Sequence, residues 1–300
     1  MKSKLIVILG QTATGKSDLA VQIALKFNGE IISADSRQVY KGLDLGSGKI
    51  TKKEICGVPH HLLNVASPKK VFNVSDYKKL ADKAIADILK RGKVPIITGG
   101  TGFYIDSVVN NSILPEVQPN MSLRKKLASK SAVALFDALK KLDSKRAETI
   151  DAQNPVRLIR AIEIATALGK VPTLDTEATP PYDTLFIGLE ILEKKLKERI
   201  YKRIIDRIKK GMIREVQNLH TGGLSWKRME QLGLEYRHIA LHLQDKISKA
   251  EMIDGLYTDT WQYAKRQKTW FKRNKNTHWL NPLLKSTNNK TKSLVKKFLK

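Results

Sequence analysis

The chain has 300 residues, of which 41% are hydrophobic, enough for one large domain or two small ones. A single cysteine, Cys56, excludes an internal disulfide and zinc modules built from four cysteines or from two cysteines and two histidines. Lys and Arg outnumber Asp and Glu by 55 to 29, and the formal charge of +26 indicates a polyanionic partner, most often nucleic acid, with mere solubility as the alternative.

A phosphate-binding motif lies at the start of the chain. The apolar run Leu5–Leu9 predicts a strand, and Gly10-Gln-Thr-Ala-Thr-Gly-Lys-Ser17 follows it directly, matching G-x-x-x-x-G-K-[ST]. Backbone N–H groups of such a loop and of the next helix converge on phosphate oxygens. We therefore expect the phosphate groups of a ligand to be bound by Gly10, Gln11, Thr12, Ala13, Thr14, Gly15, Lys16 and Ser17, with the Ser17 hydroxyl as a ligand of Mg²⁺.

Strands and helices alternate over the first hundred residues, which predicts an α/β fold with a P-loop NTPase-like parallel sheet. Predicted strands at Glu30–Ala34 and Val94–Thr98 end in Asp35-Ser-Arg-Gln38 and Gly99-Gly-Thr-Gly102. Ligands of such sheets bind beyond the carboxyl ends of the strands. These two segments and the phosphate-binding motif should therefore lie together at one edge of the sheet.

The chain changes character near Leu114, and we predict a discontinuous core of residues 1–113 and 183–285 with a helical insertion domain at 114–182. Helices are expected at Ser122–Leu142 and Asn154–Leu168 within the insertion, and a strand at Thr184–Glu190 returns to the sheet. Two long basic helices, Lys194–Leu219 and Lys249–Arg273, should follow. Residues 286–300 are polar and rich in lysine, and we expect a mobile basic tail there.

The phosphate-binding motif alone leaves the reaction open among ATPases, GTPases and small-molecule kinases. ATPases of this class hold Mg²⁺ with an Asp that closes a nearby apolar strand, but Pro95–Thr98 is followed by Gly-Gly-Thr. A guanine-reading Asn-Lys-x-Asp is absent from the sequence. Asp35 is a candidate metal ligand or base at a strand end, and the alternative interpretation is a carboxylate that caps the next turn.

Taken in order, six segments resemble the tRNA dimethylallyltransferases, and the likeness runs from Leu5 to about Phe271. The segments are Gly10–Ser17, Ser33-Ala-Asp-Ser-Arg-Gln-Val-Tyr40, Pro59-His-His-Leu62, Gly99-Gly-Thr-Gly-Phe-Tyr104, Arg157-Leu-Ile-Arg-Ala-Ile-Glu163 and Tyr263-Ala-Lys-Arg-Gln-Lys-Thr-Trp-Phe271. The resemblance implies that the loop binds dimethylallyl diphosphate and that the prenyl group passes to N6 of the adenosine just 3′ of the anticodon in tRNA, with release of diphosphate.

The resemblance also implies residue roles. Asp35 corresponds to the general base, Thr101 to a residue that positions the reacting groups, and Arg203 to a diphosphate ligand. Contacts with tRNA are implied for Asp35, Ser36, Arg37, Gln38, Thr101, Arg124, Arg157 and Arg160, the last three as the insertion's grip on the anticodon stem-loop. Solvated helix charges are the alternative for any one of these three arginines. Mg²⁺ is the expected cofactor. We expect a cytoplasmic monomer with no membrane partner, since no apolar run approaches the ~18–20 residues of a membrane span.

Two departures from the pattern and two alternative functions stay open. Gln11 stands where the resembled loops carry Pro, and Leu232-Gly-Leu-Glu-Tyr236 replaces a more usual Ile-Gly-Tyr. An adenylate prenyltransferase acting on free nucleotide is disfavoured by the insertion and the basic charge. An RNA-binding P-loop kinase or NTPase is disfavoured by the missing strand-end Asp.

Overall fold

A computed structural model describes residues 2–112, 114–172 and 179–300. The chain divides into two compact units. The core unit comprises Met1–Asn111 and Pro180–Lys300, and the helical unit comprises Ser112–Thr179. The predicted boundaries at 113/114 and 182/183 lie within three residues of these divisions.

The core unit contains a six-stranded sheet in which every pair of neighbours is parallel. Its strands, in chain order, are β1 (Ser3–Gly10), β2 (Gly29–Ser33), β3 (His60–His61), β4 (Val94–Gly99), β5 (Tyr182–Leu189) and β6 (Thr277–Leu280). The spatial order is β3-β2-β4-β1-β5-β6. The predicted α/β class with a parallel sheet is therefore confirmed, and the carboxyl ends of β1, β2 and β4 meet at one edge.

Helices of the core unit cover both faces of this sheet. They are α1 (Lys16–Lys26), α2 (Lys52–Ile55), α3 (Val74–Lys90), α4 (Gly102–Val109), and, after the helical unit, α9 (Glu193–Lys209), α10 (Met212–Thr221), α11 (Trp226–Leu232), α12 (Leu234–His242), α13 (Lys249–Phe271) and α14 (Thr287–Leu299). Side chains alternate along β1, so that Val7 packs with α3 and α4 while Ile8 packs with α1. None of the helices in the described ranges is both long and apolar enough to cross a membrane.

The basic region after β5 is more broken than the sequence predicts. The expected helix Lys194–Leu219 is two helices, because Gly211 adopts a φ of 100° and ends the continuous hydrogen bonding between α9 and α10. The short helices α11 and α12 and the strand β6 were not predicted. Together α9–α13 enclose a separate apolar core around Ile204, Met229 and Tyr236.

The predicted mobile tail at 286–300 is wrong. Residues Thr287–Leu299 form helix α14, whose Thr287, Thr291 and Val295 are buried at intervals of four residues. Val295 packs against the apolar face of the sheet that also carries Ile8. The lysine-rich composition suggested disorder, but the segment forms an amphipathic helix. Burial of one face of this helix stabilises the ordered state.

The helical unit contains α5 (Met121–Leu127), α6 (Ala132–Leu142), α7 (Ser144–Thr149) and α8 (Pro155–Leu168). Its apolar core is formed by residues such as Leu135, Leu139 and Leu158. The predicted continuous stretch Ser122–Leu142 is divided at Ser131, which caps α6 by accepting a hydrogen bond from Ala134 N.

Candidate active site

The phosphate loop (Gly10–Ser17) connects β1 to α1 and has the backbone shape of an anion cradle. Gly10 has a φ of 142°, and a Cβ there would lie 2.5 Å from the carbonyl oxygen of Leu189, so only glycine fits. Gly15, with a φ of 91°, caps α1. Among described residues, no hydrogen bond engages the backbone N–H groups of Ala13, Thr14 and Gly15. These donors suit phosphate oxygens at a helix N-terminus.

Lys16 provides a half-buried positive charge in this loop, and no carboxylate of the described residues forms an ion pair with it. Its Nζ donates to the carbonyl oxygen of Gln11 over 2.7 Å. Burial, together with the neighbouring Arg203 guanidinium, lowers the pKa of Lys16 to about 7, against the opposing effect of Asp35. A diphosphate bound in the loop would supply a negative charge next to Lys16 and so favour its protonated form.

Arg203 brings a second cation to the loop from α9, and in the part of the chain that the structure describes it forms no ion pair. Its Nη2 donates to Thr12 Oγ1 over 2.7 Å. Burial, and then the nearby positive charge of Arg207, lower the pKa of Arg203 to about 9. The Arg203 guanidinium also lowers the pKa of Lys16, and an anion bound beside the loop N–H groups would stabilise both cations.

Asp35 begins the Asp35 loop (Asp35–Gln38) at the end of β2. Its Oδ1 accepts hydrogen bonds from Arg37 N at 2.8 Å and Gln38 N at 3.3 Å, while Oδ2 has no hydrogen bond within the described residues. One oxygen therefore caps a turn, as the structural alternative predicts, and the other can accept a proton. Both functions fit the same half-buried carboxylate.

Thr101 connects the Asp35 loop to the Gly100 loop (Gly99–Gly102) at the end of β4. Its Oγ1 accepts from Ser36 N over 3.0 Å, and its N–H donates to Ala34 O over 3.0 Å. Thr101 is also the residue before α4. The structure thus brings Thr101 and Ser36 into direct contact, next to Asp35.

The side chains of Arg37 and Gln38 in the Asp35 loop are bound to backbone atoms. Arg37 Nε donates to Leu232 O over 2.6 Å, and Gln38 Nε2 donates to Gly48 O over 3.3 Å. These bonds fix the loop to α11 and to the segment before α2. Contacts of Arg37 and Gln38 with a nucleotide stay predictions.

Helix α13 joins the phosphate loop to the Gly100 loop. Gln11 Nε2 donates to Ala264 O over 3.0 Å, and Thr12 N donates to Gln267 Oε1 over 2.7 Å. The Gly100 carbonyl accepts from Gln267 Nε2 at 2.9 Å and from the Tyr263 hydroxyl at 3.1 Å. The sequence analysis predicted this helix only as a long basic helix and missed its inward polar face. The signal was present, since Tyr263 and Gln267 are spaced i, i+4 within an otherwise apolar stripe.

The three arginines predicted to hold RNA in the helical unit are not equivalent. Arg124 binds the buried carboxylate of Glu163 through two hydrogen bonds of 2.9 and 2.8 Å, and Arg160 binds it over 2.5 Å. Burial alone would raise the pKa of Glu163, but these bonds and Asn120 N lower it to about 2. Arg157 is exposed, and its guanidinium has no hydrogen bond or ion pair within the described part of the chain.

A magnesium ion would have few protein ligands here. In the described ranges no three His, Cys, Asp or Glu side chains come together as a metal site. Ser17 is exposed in the first turn of α1. Mg²⁺ commonly binds through one or two protein oxygens, substrate phosphates and water, and a hydroxyl beside a phosphate cradle fits that pattern.

The comparisons with known proteins agree on one family. The family model described as IPP transferase matches residues 38–274. The chain belongs to the IPP transferase family. It is 46% identical over 276 residues to tRNA dimethylallyltransferase 2 of Treponema denticola, with 91% of this chain and 92% of the relative covered. The phosphate loop precedes the part of the chain that the family model matches.

The fold of this chain is also similar to solved structures of IPP transferases. The tRNA delta(2)-isopentenylpyrophosphate transferase of Staphylococcus epidermidis is 36% identical, with a TM-score of 0.73 and 99% of each chain covered. A eukaryotic dimethylallyltransferase described as acting on tRNA is 27% identical, with a TM-score of 0.85 over 99% of this chain and 79% of its own. The P-loop-like architecture predicted from the sequence is thereby confirmed.

Proposed function

We propose that this chain transfers the dimethylallyl group of dimethylallyl diphosphate to N6 of the adenosine 3′-adjacent to the anticodon in tRNA. The observation that carries the proposal is the juxtaposition, at one sheet edge, of an anion cradle with uncompensated Lys16 and Arg203 and a carboxylate, Asp35. The negative charge of Asp35 raises the pKa of both Lys16 and Arg203, which supports a role for Asp35 as the proton acceptor beside the bound diphosphate.

The reaction needs a stabilised leaving group and a base. As the C1–O bond of the donor breaks, its electron pair passes to the diphosphate, whose growing charge Lys16, Arg203 and the loop N–H groups stabilise. The N6 lone pair of adenine forms the new bond to C1. The proton lost from N6 passes to Asp35, whose orientation is fixed by the hydrogen bonds to Oδ1.

Thr101 and Ser17 have supporting roles in this proposal. Thr101 holds the backbone of Ser36 and so fixes the position of the adjacent Asp35. Ser17 would hold Mg²⁺ together with the donor's phosphate oxygens. The ion would supply further stabilisation of the departing diphosphate.

The acceptor is proposed to be a polynucleotide, because the net charge of +26 exceeds what a mononucleotide needs. Arg157 of the helical unit has no ion pair among the described residues and is suited to a phosphate of the anticodon stem-loop. To be modified within a tRNA loop, the adenosine must leave its stack. We place the enzyme in the cytoplasm, acting as a monomer.

The test is acceptor choice with labelled dimethylallyl diphosphate. The purified protein is incubated with Mg²⁺ and, in separate reactions, unmodified tRNA, the same tRNA with guanosine at the target position, AMP, and no acceptor. Label should enter only the unmodified tRNA. Label in AMP would identify the adenylate prenyltransferase, and γ-phosphate transfer or release from ATP without prenyl transfer would identify the kinase or NTPase.

A further inference from the structure

The amide of Gln267 lies between the two loops that serve different substrates. Its Oε1 accepts from Thr12 N in the phosphate loop at 2.7 Å, and its Nε2 donates to Gly100 O at 2.9 Å. Gln267 is only 4% exposed. Within the described ranges, no other side chain makes hydrogen bonds to both loops.

The approach of this amide to Gly100 is close. A Cβ at Gly100 would lie 2.2 Å from Gln267 Nε2, so the contact requires a glycine. The next residue is Thr101, whose Oγ1 accepts from Ser36 N beside Asp35. Hydrogen bonds therefore link Thr12 to Gln267 and Gln267 to Gly100, the peptide bond leads on to Thr101, and Thr101 is hydrogen-bonded to the Asp35 loop.

We propose that Gln267 is a positioning residue that couples the binding of donor and tRNA, because its amide ties the phosphate loop to the loop that carries Thr101. The inference rests on the proposed function, which assigns the donor to one loop and the acceptor to the other. A diphosphate drawn to the phosphate loop changes the position of Thr12. Because the buried amide of Gln267 cannot replace its two hydrogen-bond partners by water, a shift of Thr12 moves Gln267 and, with it, Gly100.

The matched test compares Gln267→Met with Gln262→Met. Methionine at 267 keeps the length of the side chain and removes both hydrogen bonds, and Gln262 is an exposed glutamine of the same helix. The measured quantity is the dissociation constant of an inert thiolo analogue of dimethylallyl diphosphate, determined with and without saturating unmodified tRNA. Transfer activity of the wild-type preparation is recorded in parallel.

In the wild-type protein and in Gln262→Met, tRNA should tighten analogue binding by a factor in the usual range for coupled sites, about 5–150-fold. In Gln267→Met the factor should fall below about twofold, and kcat should fall as well. The melting temperature of the variant shows whether it is folded. An unchanged coupling factor in a folded Gln267→Met would overturn the proposal. So would a wild-type protein that transfers prenyl groups without any coupling.

Gln267→Glu provides a second variant in case the methionine does not fold. An ionised carboxylate can still accept from Thr12 N but cannot donate to Gly100 O. The added negative charge beside the diphosphate site should weaken analogue binding both with and without tRNA, while the coupling factor, which is the ratio of the two dissociation constants, should fall below about twofold. Retained coupling in this variant would contradict the role of the Gly100 contact. If the wild-type protein transfers no label to tRNA, the proposed function fails first and the inference fails with it.

Discussion

The phosphate loop of the core unit and the helical unit differ in how their charged side chains are paired. In the core unit, Lys16 bonds a carbonyl and Arg203 bonds a hydroxyl, and burial lowers the pKa of each. In the helical unit, Arg124 and Arg160 share the carboxylate of Glu163. The first arrangement favours the binding of an anion, whereas the second is already neutralised by a carboxylate. Uncompensated cations therefore indicate a ligand site, whereas paired cations indicate structure.

The largest effect is expected from neutralising a carboxylate in the core unit. Asp35→Asn keeps the size of the side chain and its acceptor oxygen but removes the proton acceptor. We expect kcat to fall about 10²–10⁴-fold, with a much smaller change in tRNA affinity. The matched change in the helical unit, Glu163→Gln, should leave kcat of the folded protein within about threefold of wild type. Steady-state kinetics on both variants measure this, and a drop of less than about threefold for Asp35→Asn would assign the base elsewhere.

The next effect concerns the pH dependence of donor binding. With the pKa of Lys16 lowered to about 7, the ligand-free protein loses the Lys16 proton as the pH rises through 7. A bound diphosphate favours the charged amine, so the dissociation constant of the inert thiolo analogue should rise by up to about tenfold per pH unit above 7. Lys16→Met should bind more weakly and should lack this component of the pH dependence. Calorimetric titrations from pH 6 to 9 measure both.

An independent control for the same group is stability without ligand. The ordinary pKa of lysine is 10.5, so the unfolded chain binds the Lys16 proton between pH 7 and 10.5 while the native state does not. This group therefore makes the native state relatively more stable as the pH rises through that window. The difference in unfolding free energy between wild type and Lys16→Met should change in that direction. A difference independent of pH would show that Lys16 keeps its ordinary pKa.

The sequence predicted the parts of this site that depend on local pattern. Strand–loop–helix order at Gly10–Ser17 and the strand ends before Asp35 and Thr101 required only periodicity and parallel topology. The partners of Arg124 and Gln267 could not be predicted in this way, because Glu163 is 39 residues from Arg124 and Gly100 is 167 residues from Gln267. Such pairs arise from packing of distant elements. For α14, lysine composition hid an apolar stripe that a periodicity count over 287–299 would have revealed.

A smaller effect is expected from the paired charges. Glu163→Gln removes the buried carboxylate that Arg124 and Arg160 share, and the side chain of Glu163 is 1% exposed. We expect a loss of about 1–3 kcal/mol in unfolding free energy, reduced from the value for a fully buried pair because both arginines are partly exposed. Denaturant unfolding measures it, with the exposed Glu148→Gln as the control in the same unit.

The pH dependence of this stability has a defined sign. The pKa of Glu163 is lowered from 4.5 to about 2 by its arginine partners, against the effect of burial. Its contribution is therefore complete above pH 4.5 and should disappear as the pH falls towards 2. A difference between wild type and Glu163→Gln that persists unchanged at pH 2 would mean that the ion pairs do not carry the effect.

The smallest expected effect is on the salt dependence of tRNA binding, and it should differ between two arginines for which the sequence analysis predicted the same role. If about 4–6 phosphates are neutralised, the logarithm of the tRNA association constant should fall against the logarithm of salt concentration with a slope of roughly −3 to −4. Arg157 is exposed and unpaired within the described residues, so Arg157→Ala should remove one contact and make the slope shallower by about 0.7. Arg160 is bound to Glu163 and to Val117 O, so Arg160→Ala should change the slope by less than about half that amount and lower stability instead. Filter binding across a salt series measures the slopes, and the KM for donor should stay unchanged in both variants. Equal slope changes would mean that Arg160 contacts the nucleic acid despite its ion pair with Glu163. Pairing with a carboxylate would then not distinguish structural arginines from ligand-binding ones in the helical unit.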